Sequence, residues 1–170
     1  TSVNGTGSAV DNLITGNAGA NSLSGLAGND TLDGGTNTVG GATLNGSTGN
    51  DTYIVHNAAD RVDESTGTTG IDTVQSYVTF DLHAGTAQVA TGSVIENLTL
   101  LGSDSIDATG NDIANQLIGN SGANVLDGKG GDDLIFGGAG SDIIDGGLGH
   151  DMLFGGVDAD VFAYTDADFG

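Results

Sequence analysis

The sequence predicts an all-β fold in which two blocks of stacked β-strand coils are joined by a β-strand connector. Three observations predict this fold. Nine-residue repeats run through residues 7–55 and again through 102–164, apolar and polar residues alternate in the segment 56–101, and the 170 residues include 32 glycines but no proline. Abundant glycine without proline is unlike a Gly/Pro-rich linker or a collagen helix, and it indicates a periodic turn.

The repeat is clearest in the C-terminal block, which divides into units of nine residues from Gly110 without a gap. The units are GNDIANQLI, GNSGANVLD, GKGGDDLIF, GGAGSDIID, GGLGHDMLF and GGVDADVFA, and we number their positions 1 to 9. Position 6 always holds an oxygen donor: Asn115, Asn124, Asp133, Asp142, Asp151 and Asp160. Position 8 always holds an apolar residue: Leu117, Leu126, Ile135, Ile144, Leu153 and Phe162. Donors and apolar residues therefore keep one register through the block.

The N-terminal block repeats the same pattern from Gly7. Its units are GSAVDNLIT, GNAGANSLS, GLAGNDTLD, a twelve-residue GGTNTVGGATLN and GSTGNDTYI. The donors at position 6 are Asn12, Asn21, Asp30 and Asp51, and Ala42 interrupts the series in the longer unit. The similarity of the two blocks indicates a duplication.

The connector at 56–101 lacks the nonapeptide and shows strand periodicity instead. Alternate residues of one stretch are Val74, Ser76, Val78, Phe80 and Leu82, which is the pattern of a half-buried strand. Turn-rich stretches at 65–70 and 90–93 separate the predicted strands. The middle of the chain is therefore predicted to be a set of short strands between the coils.

Each nonapeptide is predicted to form half of a coil. Positions 6 to 9 make a short strand whose position 8 side chain points inward while positions 7 and 9 face outward. The other five residues turn the chain, and glycines at positions 1, 2 and 4 permit positive φ and a close approach of carbonyl groups. Two half-coils make a turn of eighteen residues, so residues eighteen apart stack at about 4.8 Å.

This stacking places the acidic residues one above another. Asp133 is predicted to lie over Asp151, and Asp142 over Asp160. Two carboxylates at that spacing repel each other, but Ca²⁺, which takes oxygen ligands at about 2.3–2.6 Å, fits between them. Calcium needs six to eight oxygens, so carbonyl groups of the glycine-rich turns are expected to complete the site.

The charge balance also favours a metal partner. Asp and Glu number 23 against Arg61 and Lys129, which gives a net charge of −21. Nucleic acid and anionic membranes are therefore poor partners, and so many carboxylates need cations to offset their repulsion. Cysteine is absent, which excludes disulfides and thiolate metal sites. No apolar run is long enough for a membrane-spanning helix, and the first residues, TSVNGTGSAVDNL, lack the features of a Sec-type signal.

Position 9 of the C-terminal block supports the eighteen-residue period independently. It alternates between acidic and aromatic residues, as Asp127, Phe136, Asp145 and Phe154. One face is thus predicted to be acidic, and the other to carry an apolar patch of Leu134, Phe136, Met152 and Phe154. Such a patch is expected to be covered, by a segment of this chain in preference to a partner.

The units match the pattern G-G-x-G-x-D-x-U-x, in which U is a bulky apolar residue, and by this match the chain resembles the RTX, or haemolysin-type, calcium-binding family. The resemblance covers about residues 7–55 and 102–164, and the stretches GNDTYIV, IENLTLLG and ADVFAY are also similar to sequences that accompany such repeats. It implies a parallel β-roll, export by a type I secretion apparatus, disorder where calcium is scarce, and folding after secretion. The expected location is extracellular or on the bacterial cell surface.

The resemblance also implies a set of ligands for several Ca²⁺ ions. The carboxylate ligands are expected to be Asp30, Asp51, Asp133, Asp142, Asp151 and Asp160. The glycines expected to supply carbonyl oxygens are Gly28, Gly49, Gly128, Gly131, Gly137, Gly138, Gly140, Gly146, Gly147, Gly149 and Gly155. Asn12, Asn21, Asn115 and Asn124 replace aspartate, so weaker or empty sites are expected there. Asp158 stands where the last unit should have glycine, which suggests that this coil is a cap.

No other chemistry stands out in the sequence. His56, His83 and His150 form no HExxH pair for zinc, and there is no GxSxG nucleophile motif. Asp60, Asp63, Glu64 and Asp72 either hold a further calcium ion or form a solvated acidic loop, which is the favoured interpretation. We therefore predict no catalytic residues.

Three hypotheses for the function follow. The leading one is a structural module that folds on binding Ca²⁺ and is the non-catalytic part of a larger secreted protein. The second is a calcium-dependent adhesin or a self-assembling surface-layer component, in which sheet edges pair between chains. The third is a module that positions extracellular polysaccharide for a secreted enzyme.

Overall fold

The computed structural model describes residues 2–36, 40–66 and 69–164, and these contain β-strands but no helix. The strands are β1 (Gly5–Thr6), β2 (Leu13–Thr15), β3 (Ser22–Ala27), β4 (Thr31–Asp33), β5 (Thr43–Thr48), β6 (Thr52–Val55), β7 (Arg61–Val62), β8 (Thr73–Ser76), β9 (Phe80–Asp81), β10 (Asn97–Leu100), β11 (Ala108–Thr109), β12 (Gln116–Ile118), β13 (Val125–Asp127), β14 (Leu134–Ala139), β15 (Ile143–Asp145), β16 (Met152–Val157) and β17 (Val161–Ala163). The predicted all-β class is confirmed.

The chain forms two compact units. The first contains the residues up to Ser76 together with Ala84–Ile95, and the second contains Tyr77–His83 together with the chain from Glu96 onward. In the first unit, β1, β3, β5 and β7 pair in that order in one parallel sheet, and β2, β4, β6 and β8 pair in another. Successive strands thus alternate between two parallel sheets, which is the arrangement of a β-solenoid.

The second unit is built in the same way. One parallel sheet contains β10, β12, β14 and β16, and the other contains β9, β11, β13, β15 and β17. Leu117 pairs with Ile135 and Ile135 with Leu153, which confirms the predicted turn of eighteen residues. Each unit is therefore a parallel β-roll.

The first unit has two lengths of turn. Ile14 pairs with Leu32 eighteen residues later, whereas Leu32 pairs with Tyr53 and Tyr53 with Val74, each twenty-one residues later. The longer turns contain the twelve-residue unit 34–45 and a second twelve-residue unit at 64–75. The three extra residues lie in the turns, so the strands stay in register.

The core of each roll is the column of position 8 side chains. Leu32, Leu44, Tyr53, Leu117, Leu126, Ile135 and Ile144 are fully buried, as predicted. Ile14 and Leu153 are only half-buried, and Phe162 is 40% exposed in β17, beyond which no further described strand pairs. In the other units the column buries one large apolar side chain per half-coil, which compensates for the small side chains of the turns.

The strands of the segment 56–101 extend the sheets of the repeats. β7 and β8 pair with strands of the first unit, whereas β9 and β10 pair with strands of the second. The boundaries 7–55, 56–101 and 102–164 remain predictions.

The apolar patch of the second unit lies on β14 and β16. Phe136 and Phe154 stack with ring centroids 5.0 Å apart and an angle of 11° between the ring planes. Met152 and Phe154 are 59% and 46% exposed, so no described segment of the chain buries them. The expectation that part of this chain covers the patch is not met within the described residues.

Candidate metal sites

The position 6 side chains form a ladder along each roll. In the second unit, the Oδ1 atom of Asp133 accepts the Asn115 N–H at 2.7 Å, and the Oδ1 atom of Asp151 accepts the Asp133 N–H at 2.9 Å. On the opposite edge, Asp142 accepts the Asn124 N–H at 2.8 Å, and Asp160 accepts the Asp142 N–H at 3.0 Å. The structure therefore brings Asp133 to Asp151 and Asp142 to Asp160.

The first unit contains the same ladder. Asp30 accepts the Asn12 N–H and Asp51 accepts the Asp30 N–H, both at 2.7 Å. Asp72 accepts the Asp51 N–H at 2.8 Å and thereby continues the ladder beyond the nonapeptides recognised in the sequence. One carboxylate oxygen of each aspartate is thus used to join neighbouring coils.

The second carboxylate oxygen is left without a protein partner at four ladder positions. The Oδ2 atoms of Asp30, Asp51, Asp133 and Asp142 are buried and have no hydrogen-bond partner among the described residues. A buried polar oxygen without a partner costs about 1–3 kcal/mol, and more when it is charged. Four such oxygens at one position of the repeat indicate that a cation is their natural partner.

In the second unit, position 1 glycines place carbonyl oxygens beside the free carboxylate oxygens of Asp133 and Asp142. A Cβ added to Gly128 would overlap with both Asp133 Oδ2 and the Gly146 carbonyl oxygen, and a Cβ on Gly137 would overlap with Asp142 Oδ2 and the Gly155 carbonyl oxygen. Carboxylate and carbonyl oxygens from successive coils therefore converge at the same place. Such a mixture of oxygen ligands suits Ca²⁺, so the residues present fit this ion.

Glycines at positions 2 and 4 serve a different purpose from those at position 1. Gly138 and Gly147 at position 2 have positive φ, as do Gly28, Gly49, Gly131, Gly140 and Gly149 at position 4. Position 1 glycines are absent from the residues with positive φ, so the prediction of positive φ at positions 1, 2 and 4 is wrong for position 1, where space for the carboxylate is the reason for glycine. Leu26, Ser47 and Lys129 at position 2 and Asp158 at position 4 adopt positive φ despite their side chains.

Burial raises the pKa of the ladder carboxyl groups. The pKa of Asp133 is raised to about 7, chiefly because burial removes water from its charged form, and the nearby Asp151 raises it further. Burial also raises the pKa values of Asp30, Asp51 and Asp142. The ionised ladder is therefore unfavourable by itself, and a bound cation would favour it.

Asparagine at position 6 makes the hydrogen bonds of its turn without an ion. The Oδ1 atoms of Asn115 and Asn124 accept N–H groups of their own turns at 2.8 and 3.0 Å, and their Nδ2 groups donate to the carbonyl oxygens of Glu96 and Ile106 at 3.1 and 2.6 Å. An amide thus supplies the donor that a carboxylate lacks. Weak or empty sites at Asn115 and Asn124 remain a prediction that these hydrogen bonds support.

The segment that sequence reasoning favoured as a solvated loop is largely buried. Asp60, Glu64 and Asp72 are all buried, so the solvated interpretation is wrong for these three residues. Asp60 lies at position 6 of VHNAADRVD, residues 55–63, where its Oδ1 atom accepts the Ala42 N–H at 2.7 Å. The nonapeptide register therefore continues where glycine has been lost, and the spacing of Asp51, Asp60 and Asp72 was the signal that could have shown it.

Asp51, Glu64 and Asp72 form a cluster of three buried carboxylates. One oxygen from each lies within 4.8 Å of the others, and this is the one group of three or more metal-binding side chains found in residues 2–36, 40–66 and 69–164. Tyr53 donates a hydrogen bond to Glu64 Oε1, and the N–H groups of Gly46 and Ser47 approach the same atom at 3.1 and 3.3 Å. Burial, together with the charges of Asp72 and Asp51, raises the pKa of Glu64 to about 8.

Comparison with known proteins agrees with the geometry. The model of the RTX calcium-binding nonapeptide repeat matches residues 6–38, 109–144, 118–153 and 127–162, which together make up just over half of the chain. The chain belongs to this family. No curated protein matches the chain.

Membership of the RTX repeat family identifies the two rolls as a calcium-binding module. Such repeats are typically structural and are typical of secreted bacterial proteins. No helix among the described residues is both long and apolar enough to span a membrane. The two histidines with acidic neighbours, His56 beside Asp33 at 3.1 Å and the exposed His150 beside Asp132, belong to no cluster of three metal ligands in the described part of the chain.

Proposed function

We propose that the chain is a calcium-dependent folding and stabilising module, the non-catalytic part of a larger extracellular protein. The observation that carries this proposal is the set of buried Oδ2 atoms without partners on Asp30, Asp51, Asp133 and Asp142. Asp30, Asp51, Asp133, Asp142, Asp151 and Asp160 are its carboxylate ligands. The carbonyl oxygens beside Asp133 and Asp142 belong to Gly146 and Gly155, the position 1 glycines of the following coils.

The energetic basis is that ions bind the folded chain and not the unfolded one. Each site stabilises the fold by about 2.7 kcal/mol when free Ca²⁺ exceeds the dissociation constant a hundredfold. Without ions, a net charge of −21 on a chain with two basic residues opposes compaction. Several sites acting together therefore make folding depend steeply on calcium.

This dependence suits export by a type I secretion apparatus. A chain that stays unfolded where calcium is scarce can be exported in extended form and then fold outside the cell, where calcium is plentiful. The absence of cysteine is compatible with this role, because bound ions can provide the stability that disulfides give to other small secreted domains.

A calcium titration of the chelator-treated chain tests the proposal. Far-UV circular dichroism should show a cooperative change from coil to β-structure, and equilibrium dialysis should show several ions per chain. Magnesium at the same concentration should fold the chain much less well, because Mg²⁺ demands a tighter octahedral site and retains several waters. A fully folded chain in chelator, or a chain that binds no calcium, would refute the proposal.

A second candidate function is calcium-dependent self-association at a cell surface. The exposed Met152 and Phe154 on the face of the second unit favour it, since an apolar patch of this kind is often an interface. Sedimentation velocity with and without Ca²⁺ distinguishes the two. Oligomers that form only with calcium and are lost in Phe154→Ser would support self-association, whereas a calcium-loaded monomer would argue against it.

A further inference from the structure

The interior of the first unit contains three clustered carboxylates, of which Asp51 belongs to the nonapeptide ladder and Glu64 does not. Asp51 precedes β6, Glu64 follows β7 and Asp72 precedes β8. They are only 1%, 1% and 2% exposed, and one oxygen of each lies within 4.8 Å of the others. All three lie outside the segments that match the family, so the repeat does not assign them a shared role.

Glu64 reaches this place from a turn position at which most coils hold glycine. It is the first residue of the twelve-residue unit 64–75, so its equivalents are the position 1 glycines. In the second unit, the Gly128 N–H donates to the Asp145 carbonyl oxygen of the next coil at 2.9 Å. The equivalent Gly46 N–H instead approaches Glu64 Oε1 at 3.1 Å. The glutamate side chain therefore takes the place of a backbone carbonyl group and brings an additional charge to the ladder.

A free ligand atom points into the same place. Asp51 Oδ2 is buried without a hydrogen-bond partner, and it lies against Gly46 at the point where the Tyr53 hydroxyl group also lies. Tyr53 in turn donates to Glu64. The unpartnered oxygen of Asp51 thus faces the Glu64 side of the cluster.

No basic side chain neutralises these carboxylates. The chain has two basic residues, of which Lys129 pairs with Asp127 in the second unit. In the first unit, Arg61 Nη1 donates to the carbonyl oxygens of Thr86 and Ala87 at 3.3 and 3.4 Å. A bound cation would supply the counter-charge that the basic side chains do not.

We propose that Asp51, Glu64 and Asp72 bind one Ca²⁺ ion inside the first unit, at a site built from side chains of two turns, the one that ends at Asp51 and the one that Glu64 and Asp72 flank. Three carboxylates are hard oxygen ligands without nitrogen or sulfur, which favours Ca²⁺ over zinc. Calcium is favoured over Mg²⁺ because Mg²⁺ retains several waters, which a buried cluster accommodates poorly. This proposal rests on the proposed function in one respect, which is that Asp51 is also a ligand of the ladder.

Glu64→Gln is the decisive variant, and Asp63→Asn is its matched control. Glutamine keeps the size of the side chain and an oxygen for the Gly46 N–H, but it removes one charge from the cluster. Asp63 is the neighbouring residue, outside the cluster, and its Oδ1 atom accepts the Ser65 N–H at 3.1 Å, which asparagine can also do. Both variants change the net charge equally. We expect Glu64→Gln to bind one ion fewer per chain than the original sequence, and Asp63→Asn to bind the same number.

Terbium luminescence locates the ion. Tb³⁺ replaces Ca²⁺ in oxygen sites and emits when a nearby tyrosine is excited, and the chain has three tyrosines and no tryptophan. Tyr53 is buried beside the cluster, whereas Tyr77 and Tyr164 are exposed. Tyr53→Phe keeps all three carboxylates, so we expect it to retain the ion count of the original sequence while losing most of the tyrosine-sensitised emission.

The outcomes separate this site from the proposed function. Several bound ions, with an unchanged count in Glu64→Gln and unchanged emission in Tyr53→Phe, would overturn the site and leave the calcium module intact. No bound calcium in the original chain would overturn both. If Glu64→Gln does not fold even with calcium, the ion count of Asp72→Asn decides, because asparagine keeps the acceptor for the Asp51 N–H and removes one charge from the cluster; an unchanged count would overturn the site.

Discussion

Replacing Asp142 by asparagine should stabilise the calcium-free roll and reduce the stabilisation that calcium adds to it. Asp142 Oδ1 accepts the Asn124 N–H at 2.8 Å, and asparagine retains this acceptor. Asp142 Oδ2 is buried without a partner beside the Gly155 carbonyl oxygen, so an amide nitrogen in its place can donate to that oxygen. The substitution therefore converts two facing acceptors into a hydrogen-bonded pair and removes a buried charge.

The two effects have opposite signs and similar sizes. Removing one buried oxygen without a partner should raise the free energy of unfolding in chelator by about 1–3 kcal/mol. Loss of one calcium site should lower the stabilisation by calcium by about 2.7 kcal/mol when the ion exceeds the dissociation constant a hundredfold. Calcium should thus stabilise Asp142→Asn by about 2.7 kcal/mol less than it stabilises the original chain under that condition.

Urea unfolding followed by circular dichroism measures both quantities. The calcium-bound chain can be unfolded directly with urea. If the calcium-free chain is unfolded in buffer, a stabilising osmolyte can fold it, and the osmolyte concentration at the midpoint of folding then reports its stability. Asp145→Asn is the matched control, because it makes the same charge change in the same coil at a half-exposed carboxylate that accepts the Gly147 N–H at 3.1 Å. We expect the control to retain its ion count and to change stability by less than about 0.5 kcal/mol. A calcium-free Asp142→Asn that is less stable than the original chain would refute this reasoning.

Three further predictions test other features of the rolls. Burial raises the pKa of Asp133 from 3.8 to about 7, so its ionisation does not oppose folding below about pH 4 and opposes it fully above about pH 7. The stability of the calcium-free chain should therefore fall by up to about 4 kcal/mol as the pH rises through this range. An osmolyte midpoint that does not change with pH would contradict this prediction. Gly137→Ala should destabilise the calcium-bound roll by about 1–3 kcal/mol and lower its ion count, because the new Cβ overlaps with the ligand oxygens. Gly130 has space for a Cβ and no positive φ, so Gly130→Ala should change neither the stability measured by urea unfolding nor the ion count measured by dialysis. Ile135→Ala should cost about 2–5 kcal/mol by leaving a cavity in the core, and the half-exposed Val125→Ala should cost much less in the same unfolding assay.

The parts of the structure that could be predicted from the sequence are those that repeat. The pairing of Leu126 with Ile144 and the hydrogen bond from Asp142 to Asp160 both follow from the nonapeptide spacing, since each coil imposes the same constraint on the next. Periodicity fixes which residues stack and which side of a strand faces the core. The prediction for position 8 holds for this reason through most of both rolls.

The parts that could not be predicted depend on a single side chain. Asp60 lies at position 6 of a unit that has lost its glycines, so the pattern that marks the other ladder residues is missing around it. Glu64 reaches the cluster because its long side chain turns inward to Gly46, and no spacing rule in the sequence expresses that direction. The free oxygen of Asp51 and the donor from Tyr53 also depend on three-dimensional contacts between coils.

Whether asparagine or aspartate occupies position 6 determines how the polar groups of each turn find hydrogen-bond partners. Asn115 and Asn124 supply their own donor through the amide, so their coils need no ion for their hydrogen bonds. Asp133 and Asp142, in the next two units, leave an oxygen that only a cation or a proton can satisfy. Both kinds of side chain use an oxygen to accept an N–H group, and they differ in whether the remaining atom is a donor or an acceptor. It follows from the proposed function that the calcium requirement of the second unit increases along the chain. The coils with asparagine at position 6 form without ions, and the following coils with aspartate at position 6 need bound ions.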